Sequence, residues 1–239
     1  MLIVIGPAWY ERVMGRRRLV AVSVFFLART AWADSFDLSS LLNRTAAFEV
    51  ERANTTCRWT ETTRLDELDG KGQVKGSVFR TVTVTSRGSE TLSRKKTSER
   101  IEGDVSTLMR EERPPPKGDP KERLSPFHPE SRAAFDLNLL SRDAQVVTMA
   151  FTPKQPSERR MVGTAQLDPV TGRVMSMSAR PSKLMVLLER LAVNLQFAPG
   201  PCGNMPHVIE SEGSGGFLFF KIRFRSHTEL SAEERVAGP

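Results

Sequence analysis

Apolar and polar residues change their rhythm once near the start of the chain and then keep a two-residue beat almost to its end. Between Phe36 and Ala53, Leu38, Leu41, Leu42, Ala46 and Phe48 recur at helical spacing behind Asp37, an N-cap residue type, and predict one amphipathic helix. From Thr56 the Thr-rich run Arg58–Arg64 reads as a strand, and Asp69-Gly70-Lys71-Gly72 supplies a turn with two glycines able to take positive φ. Val74, Val78, Val82 and Val84 then alternate with Lys75, Ser77, Thr81 and Thr83, which predicts a strand folding back on the first. Residues 90–113 are charged and weakly periodic and run into Pro114-Pro115-Pro116. They are expected to leave the sheet as a long solvated loop with a helical turn or two, or as a lid over an opening.

Beyond Ser125-Pro126-Phe127-His128-Pro129-Glu130, a tight connection into a short helix or turn, the alternation resumes near Phe135. Val147, Met149 and Phe151 share one face, Met161–Leu167 follows, and Asp168-Pro169-Val170-Thr171-Gly172 turns the chain into a strand carrying Met175, Met177 and Ala179. Residues 184–197 contain leucines at helical spacing, yet Leu191, Val193, Leu195 and Phe197 alternate with Ala192, Asn194 and Gln196 and favour a strand. Val208–Ser211 reads as a short strand ended by a turn at Gly213-Ser214-Gly215-Gly216. The last strand sets Phe220, Ile222 and Phe224 against Lys221, Arg223 and Arg225. About nine antiparallel strands with one apolar face each must curl to bury it. The expectation is a mainly β (α+β) fold, an incomplete antiparallel barrel covered by the N-terminal helix and a loop or helix lid. A closed up-and-down barrel fits the charged excursion at about 90–130 less well.

The segment before Asp34 obeys different rules. Arg16-Arg17-Arg18, an apolar run from Leu19 to Ala28, and Ala31-Trp32-Ala33 have the three parts of a cleavable secretory signal, with cleavage expected after Ala33 and Met14 as the functional start. An h-region of this length is too short for a permanent span of the roughly 30 Å hydrocarbon core. Residues 34–239 are then expected to be one exported domain, periplasmic, touching membrane only transiently. The formal charge of +7 changes meaning with this reading. Five arginines and one glutamate precede Asp34, so +3 remains on the following 206 residues. Most of the case for nucleic acid goes with it, and no nucleic-acid partner is expected. In an oxidising compartment the two cysteines, Cys57 and Cys202, form a disulfide more often than they stay as two unconnected thiols.

Candidate chemistry is sparse. His128, His207 and His227 lie far apart and in no metal-ligand spacing, so neither a metal nor another cofactor is expected. Gly213–Gly216 lacks the first glycine of a nucleophile elbow and joins two strands. Asp66, Glu67 and Asp69 have no calcium-loop pattern and read as a solvated turn, and Arg94-Lys95-Lys96 reads as an exposed face. No catalytic set emerges, and the chain is not expected to be an enzyme.

Helix first, then LDELDGKGQV, SPFHPESRAAFDLNLL, VVTMAFTPKQPSERRMVGTAQLDPVTGRVMSMSARPSK and a closing GFLFFKIRFR: in element order and turn spacing, residues 38–230 resemble the LolA/LolB-like superfamily, and within it uncharacterised periplasmic members. The resemblance implies a half-barrel whose apolar concavity shelters a lipid or the acyl chain of a lipoprotein and passes it to an envelope receptor. Trp59, Met149, Phe151, Met175, Met177, Phe197, Phe220 and Phe224 are the candidate lining, or simply a filled core. The rival expectation is an envelope interaction or signalling module that binds proteins through a sheet edge or the Lys221/Arg223/Arg225 face and has no cavity.

Overall fold

The computed structural model describes residues 36–88, 90–110, 125–186, 188–217 and 220–237, without the side chains of Leu108, Phe217 and Phe220. The expected signal segment and the Pro114–Pro120 run lie outside the described residues. The chain divides after Leu38, and Ser39–Pro239 is one compact unit. Helix α1 is Leu38–Asn54. Ten strands follow: β1 Thr56–Leu68, β2 Val74–Arg87, β3 Glu90–Gly103, β4 Phe135–Arg142, β5 Val147–Pro153, β6 Met161–Leu167, β7 Val174–Pro181, β8 Leu188–Gly200, β9 Gly203–Phe217 and β10 Phe220–Arg235. Among the described residues, two single-turn helices, α2 Thr107–Arg110 and α3 Pro129–Arg132, lie between β3 and β4.

All strand pairs are antiparallel, in the order β3-β2-β1-β10-β9-β8-β7-β6-β5-β4. Consecutive strands pair everywhere except β3 and β4; β10 pairs with its neighbour β9 and also with β1, and so joins the three-stranded N-terminal meander β1–β3 to the C-terminal meander β4–β10. β3 and β4 end the row without pairing to each other, so the sheet is an unclosed barrel, as the alternation pattern requires.

α1 buries the stripe Leu41, Leu42, Thr45, Ala46 and Glu49. Its first half rests on the β6–β7 turn. There Gly172 has φ of 80°, and a Cβ on it would stand 2.9 Å from Arg44 Cβ and 3.0 Å from Thr45 N. Only glycine meets both demands, the left-handed backbone and the close approach. Asp168 Oδ1 holds the same turn by accepting from Val170 N (2.8 Å) and Thr171 N (2.9 Å). The fully buried side chains Phe127, Val147, Met149, Phe151 and Leu167 form the core on β5, β6 and the segment before α3, with Phe151 edge-on to both Phe127 and Phe135. His128 caps α3, its Nδ1 accepting from Glu130 N at 3.3 Å.

Two further clusters fill the other half. Cys57, Trp59, Val82, Val84, Cys202 and Met205 pack together, and Cys57 and Cys202 are joined by a disulfide with Cα atoms 6.0 Å apart. Val78, Val105 and Met109 form the second cluster, with Leu65, Ile222 and Phe224 against it.

Three expectations are corrected. Residues 90–103 are a strand, not a solvated loop. Every residue of β3 is exposed, so neither face carries an apolar beat, and backbone pairing to β2 holds it. Its charge suits an edge, where Lys and Arg discourage further pairing. Gly213–Gly216 is not a turn but the interior of β9, paired with Leu191 and Arg190 on one side and Phe224–Lys221 on the other. Asp66 and Glu67 are not in a solvated turn. Both are buried on β1, and only Asp69 belongs to the turn, where its Oδ1 accepts from Lys71 N (2.8 Å) and Gln73 N (2.9 Å).

Candidate functional site

The register sets Met149, Ala165, Met177, Leu195 and Ile209 in one row across β5–β9. Burial is not uniform along it. Met149 and Ala165 are 0% and 1% exposed, whereas Met177, Leu195 and Ile209 are each only partly buried. An apolar row on one face of a sheet should be covered throughout, so the incomplete cover over β7–β9 marks the place to look for a ligand.

A cavity of about 180 Å³ lies there. Met177, Leu195, Phe197 and Pro206 form its floor, with Phe135 and Phe151 on the β4–β5 side and Ser125 and Pro126 beside them. Glu49 and Arg52 close it from the C-terminal half of α1, and Arg159, Arg160 and Met161 form its rim at the start of β6. Pro206 stands opposite Phe197 just past a register shift in the β8–β9 ladder. Proline has no N–H to donate, and a bulge is where a ladder tolerates it.

The cavity lining carries two sets of charged groups, Glu49 with Arg52 from α1 and Arg159 with Arg160 ahead of β6. Arg52 Nη2 donates to Glu49 Oε2 at 2.6 Å, and Glu49 is almost wholly buried. Glu49 occupies an inward position of α1 among Leu41, Leu42, Thr45 and Ala46, so a charge there needs its partner beside it. At the rim, Arg160 is anchored by its N–H to Ser157 Oγ (3.2 Å) and by Nη1 to Gln155 O (3.4 Å). An apolar cavity with guanidinium groups in its lining can take a molecule with a hydrocarbon part and an anionic part.

The structure brings three of the sequence candidates, Phe151, Met177 and Phe197, to this cavity. Met149 lies beneath it in the packed core, Trp59 belongs to the disulfide cluster with its Nε1 donating to Glu61 Oε1 (3.1 Å), and Phe224 packs against the Val78 cluster. Met175 is half-buried at the irregularity in the β6–β7 ladder and is not among the lining residues. The backbone of Phe220 opens β10, and its side chain lies outside the described residues. Sequence reasoning did not single out Glu49, Arg52, Arg159, Arg160 or Leu195. Glu49 had a visible signal, a carboxylate on the apolar stripe of a helix. Among the described residues no group of three His, Cys, Asp or Glu side chains is placed to hold a metal ion.

An open antiparallel sheet with a helix across it and an apolar cavity under that helix is the class of fold that these residues define. No family model matches the sequence, and no curated protein does. Among solved structures, the chain is similar to a LolA superfamily protein from Nitrosomonas europaea, at 10% identity and a TM-score of 0.44 over 84% of this chain and 94% of the other. It is also similar to a DUF1329 family protein from Desulfovibrio piger, at 8% identity and a TM-score of 0.39, over 84% and 94% of the two chains. A third likeness is to an outer membrane lipoprotein-sorting protein domain from Vibrio parahaemolyticus, at 9% identity and a TM-score of 0.38, over 85% and 95%.

Proposed function

We propose that this protein is a periplasmic binding module that shelters the apolar part of an amphiphile, a lipid or the acyl chain of a lipoprotein, in the cavity beneath α1. The observation that carries the reading is the drop in burial along the Met149–Ile209 row at a cavity walled by Met177, Leu195 and Phe197. Its volume of about 180 Å³ is slightly above the roughly 150 Å³ of an engineered apolar cavity that binds benzene. That is room for the end of a hydrocarbon chain and not for a whole one, so fuller loading requires α1 or the Ser125–Phe127 segment to shift. Each methylene withdrawn from water contributes about 0.8 kcal/mol to loading, and the flexible thioethers of Met161 and Met177 adapt the wall to different chains. Arg159 and Arg160 at the rim suit an anionic head group left outside. Release would follow from transfer to a receptor or membrane, with no covalent chemistry.

Native mass spectrometry of the protein isolated without detergent tests this reading. The expected result is a co-purifying lipid, with Leu195→Trp lowering uptake of a fluorescent apolar probe by about tenfold, about 1.4 kcal/mol, while Val170→Trp at an exposed turn leaves it unchanged. A clean ligand-free mass together with no probe uptake would overturn it.

A second reading rests on a different observation. β4 ends the sheet with Leu139 and Leu140 exposed, whereas β3 at the other end carries Arg94, Lys95 and Lys96. An edge without charge in its middle can accept an extended segment of a partner protein. Pull-down from envelope extracts with wild type and Leu140→Lys separates the two readings, because only partner binding through β4 is lost in the variant.

A further inference from the structure

One stretch of the surface is built against the usual preference for polar loops. In the β7–β8 connection Leu184, Met185 and Val186 are 40%, 46% and 84% exposed, three consecutive large apolar side chains in water. The connection is held at its base. Ser182 N donates to Arg160 O (2.8 Å), Ser182 Oγ donates to Ser157 O (2.9 Å), and Ser157 N donates to Ser182 Oγ (3.0 Å). These bonds tie it to the β5–β6 connection, whose Arg159 and Arg160 line the cavity together with Met161 at the start of β6. The apolar tip therefore stands beside the cavity mouth on an anchored base.

The charge around it is net positive. Residues 154–160 and 180–190, the β5–β6 connection and the β7–β8 connection with its flanks, hold six basic residues against two acidic. Arg180 and Lys183 are exposed on either side of the base, and Arg159 is exposed beside them. Consecutive apolar side chains flanked by a net excess of cations match a bilayer surface, where the apolar tip reaches the acyl boundary and the cations meet lipid phosphates. No described helix is long and apolar enough to cross a membrane, so the contact would be peripheral.

We propose that the β7–β8 connection is a docking tip that inserts Leu184, Met185 and Val186 into an anionic phospholipid surface and so brings the cavity mouth to the lipid. The proposal rests on the cavity reading for its purpose and not for its geometry. A bilayer is favoured over a second copy of the chain by charge, since two such basic tips repel each other whereas anionic lipid attracts both.

The test is co-sedimentation of the protein, taken from the soluble fraction of cells, with phosphatidylethanolamine vesicles containing phosphatidylglycerol and with vesicles of phosphatidylcholine alone. Wild type is expected to partition at least about tenfold more strongly to the anionic vesicles, and to lose that partitioning in high salt. The double variant Leu184→Asp/Val186→Asp is expected to lose it at any salt, with an unchanged thermal melt because both positions are exposed. Val186→Trp should show a blue-shifted emission on adding anionic vesicles. Equal binding to both vesicle types, or sedimentation unaffected by the double variant, overturns the proposal. So does a concentration-dependent dimer that the double variant dissolves without any vesicle binding, which would assign the tip to a second copy. Vesicle binding by protein that carries no lipid and takes up no apolar probe would instead sink the cavity reading and leave the docking tip standing.

Discussion

Asp66 is a charged side chain set into a sheet and kept there by three donors. Ser77 Oγ donates to its Oδ1 at 2.6 Å, Arg64 Nε to the same oxygen at 2.8 Å, and Arg225 Nη2 to Oδ2 at 3.2 Å. Burial works to raise the pKa of this carboxyl, but the bonds from Ser77, Arg64 and Arg225 together outweigh it and hold the pKa below the ordinary value of 3.8. A depressed carboxylate pKa stabilises the fold above the unfolded-state value, and that contribution disappears as pH falls through the folded one. Asp66→Asn is therefore expected to lower stability at neutral pH by about 1–3 kcal/mol and to flatten the acid side of the stability curve below about pH 4, as read from denaturant midpoints across pH. The sequence shows Asp66 three residues before the Asp69 turn and gives no sign that Ser77 and Arg225 arrive beside it. Arg225 is 159 positions away, and only the β1–β10 register pairs the two.

Strands were legible where one face is buried and the other wet. β5, the second half of β7 and the first half of β10 show that beat, and all three strands appear where the alternation predicts them. β3 has two wet faces and the end of β9 has glycines in place of side chains, so neither stretch carries a readable period, and only Val208–Ser211 of β9 reads as strand. At Gly213 of β9 the glycine is structural. A Cβ at Gly213 would meet Phe224 Cζ at 2.5 Å and Arg190 O at 2.8 Å, so Gly213→Ala must displace a ring or separate β8 from β9. The expected loss is about 1–3 kcal/mol, measurable by thermal melting, while alanine at Gly70, with nothing within 4 Å of its Cβ and no positive φ, should be far milder. The same limits explain the candidate site. Which apolar residues line a cavity and which fill the core depends on where α1 and the Ser125–Phe127 segment end their cover, and a two-residue period cannot report that. Met149 and Met177 look alike in sequence. They stand in one row of the sheet, and only the second is partly open.

At the scale of the molecule, two meanders are joined through β10 and fastened by one covalent bond. Cys57 opens β1 and Cys202 lies in the β8–β9 turn, 145 residues on. Closing so long a loop restricts the unfolded chain by about 5 kcal/mol on the entropy model. Reduction, or the double variant Cys57→Ser/Cys202→Ser, is expected to lower stability by about 2–5 kcal/mol, read as a shift of the denaturant midpoint with no change in slope if the fold stays cooperative.

The position of β10 also bears on timing. The N-terminal meander has no neighbour across from β1 until the final strand has been synthesised, since β10 alone pairs with both β1 and β9. Pairings this distant in sequence form slowly. A nascent chain thus cannot complete its sheet until β10 has left the ribosome, and the order of its own strands keeps β1 without its second partner to the last.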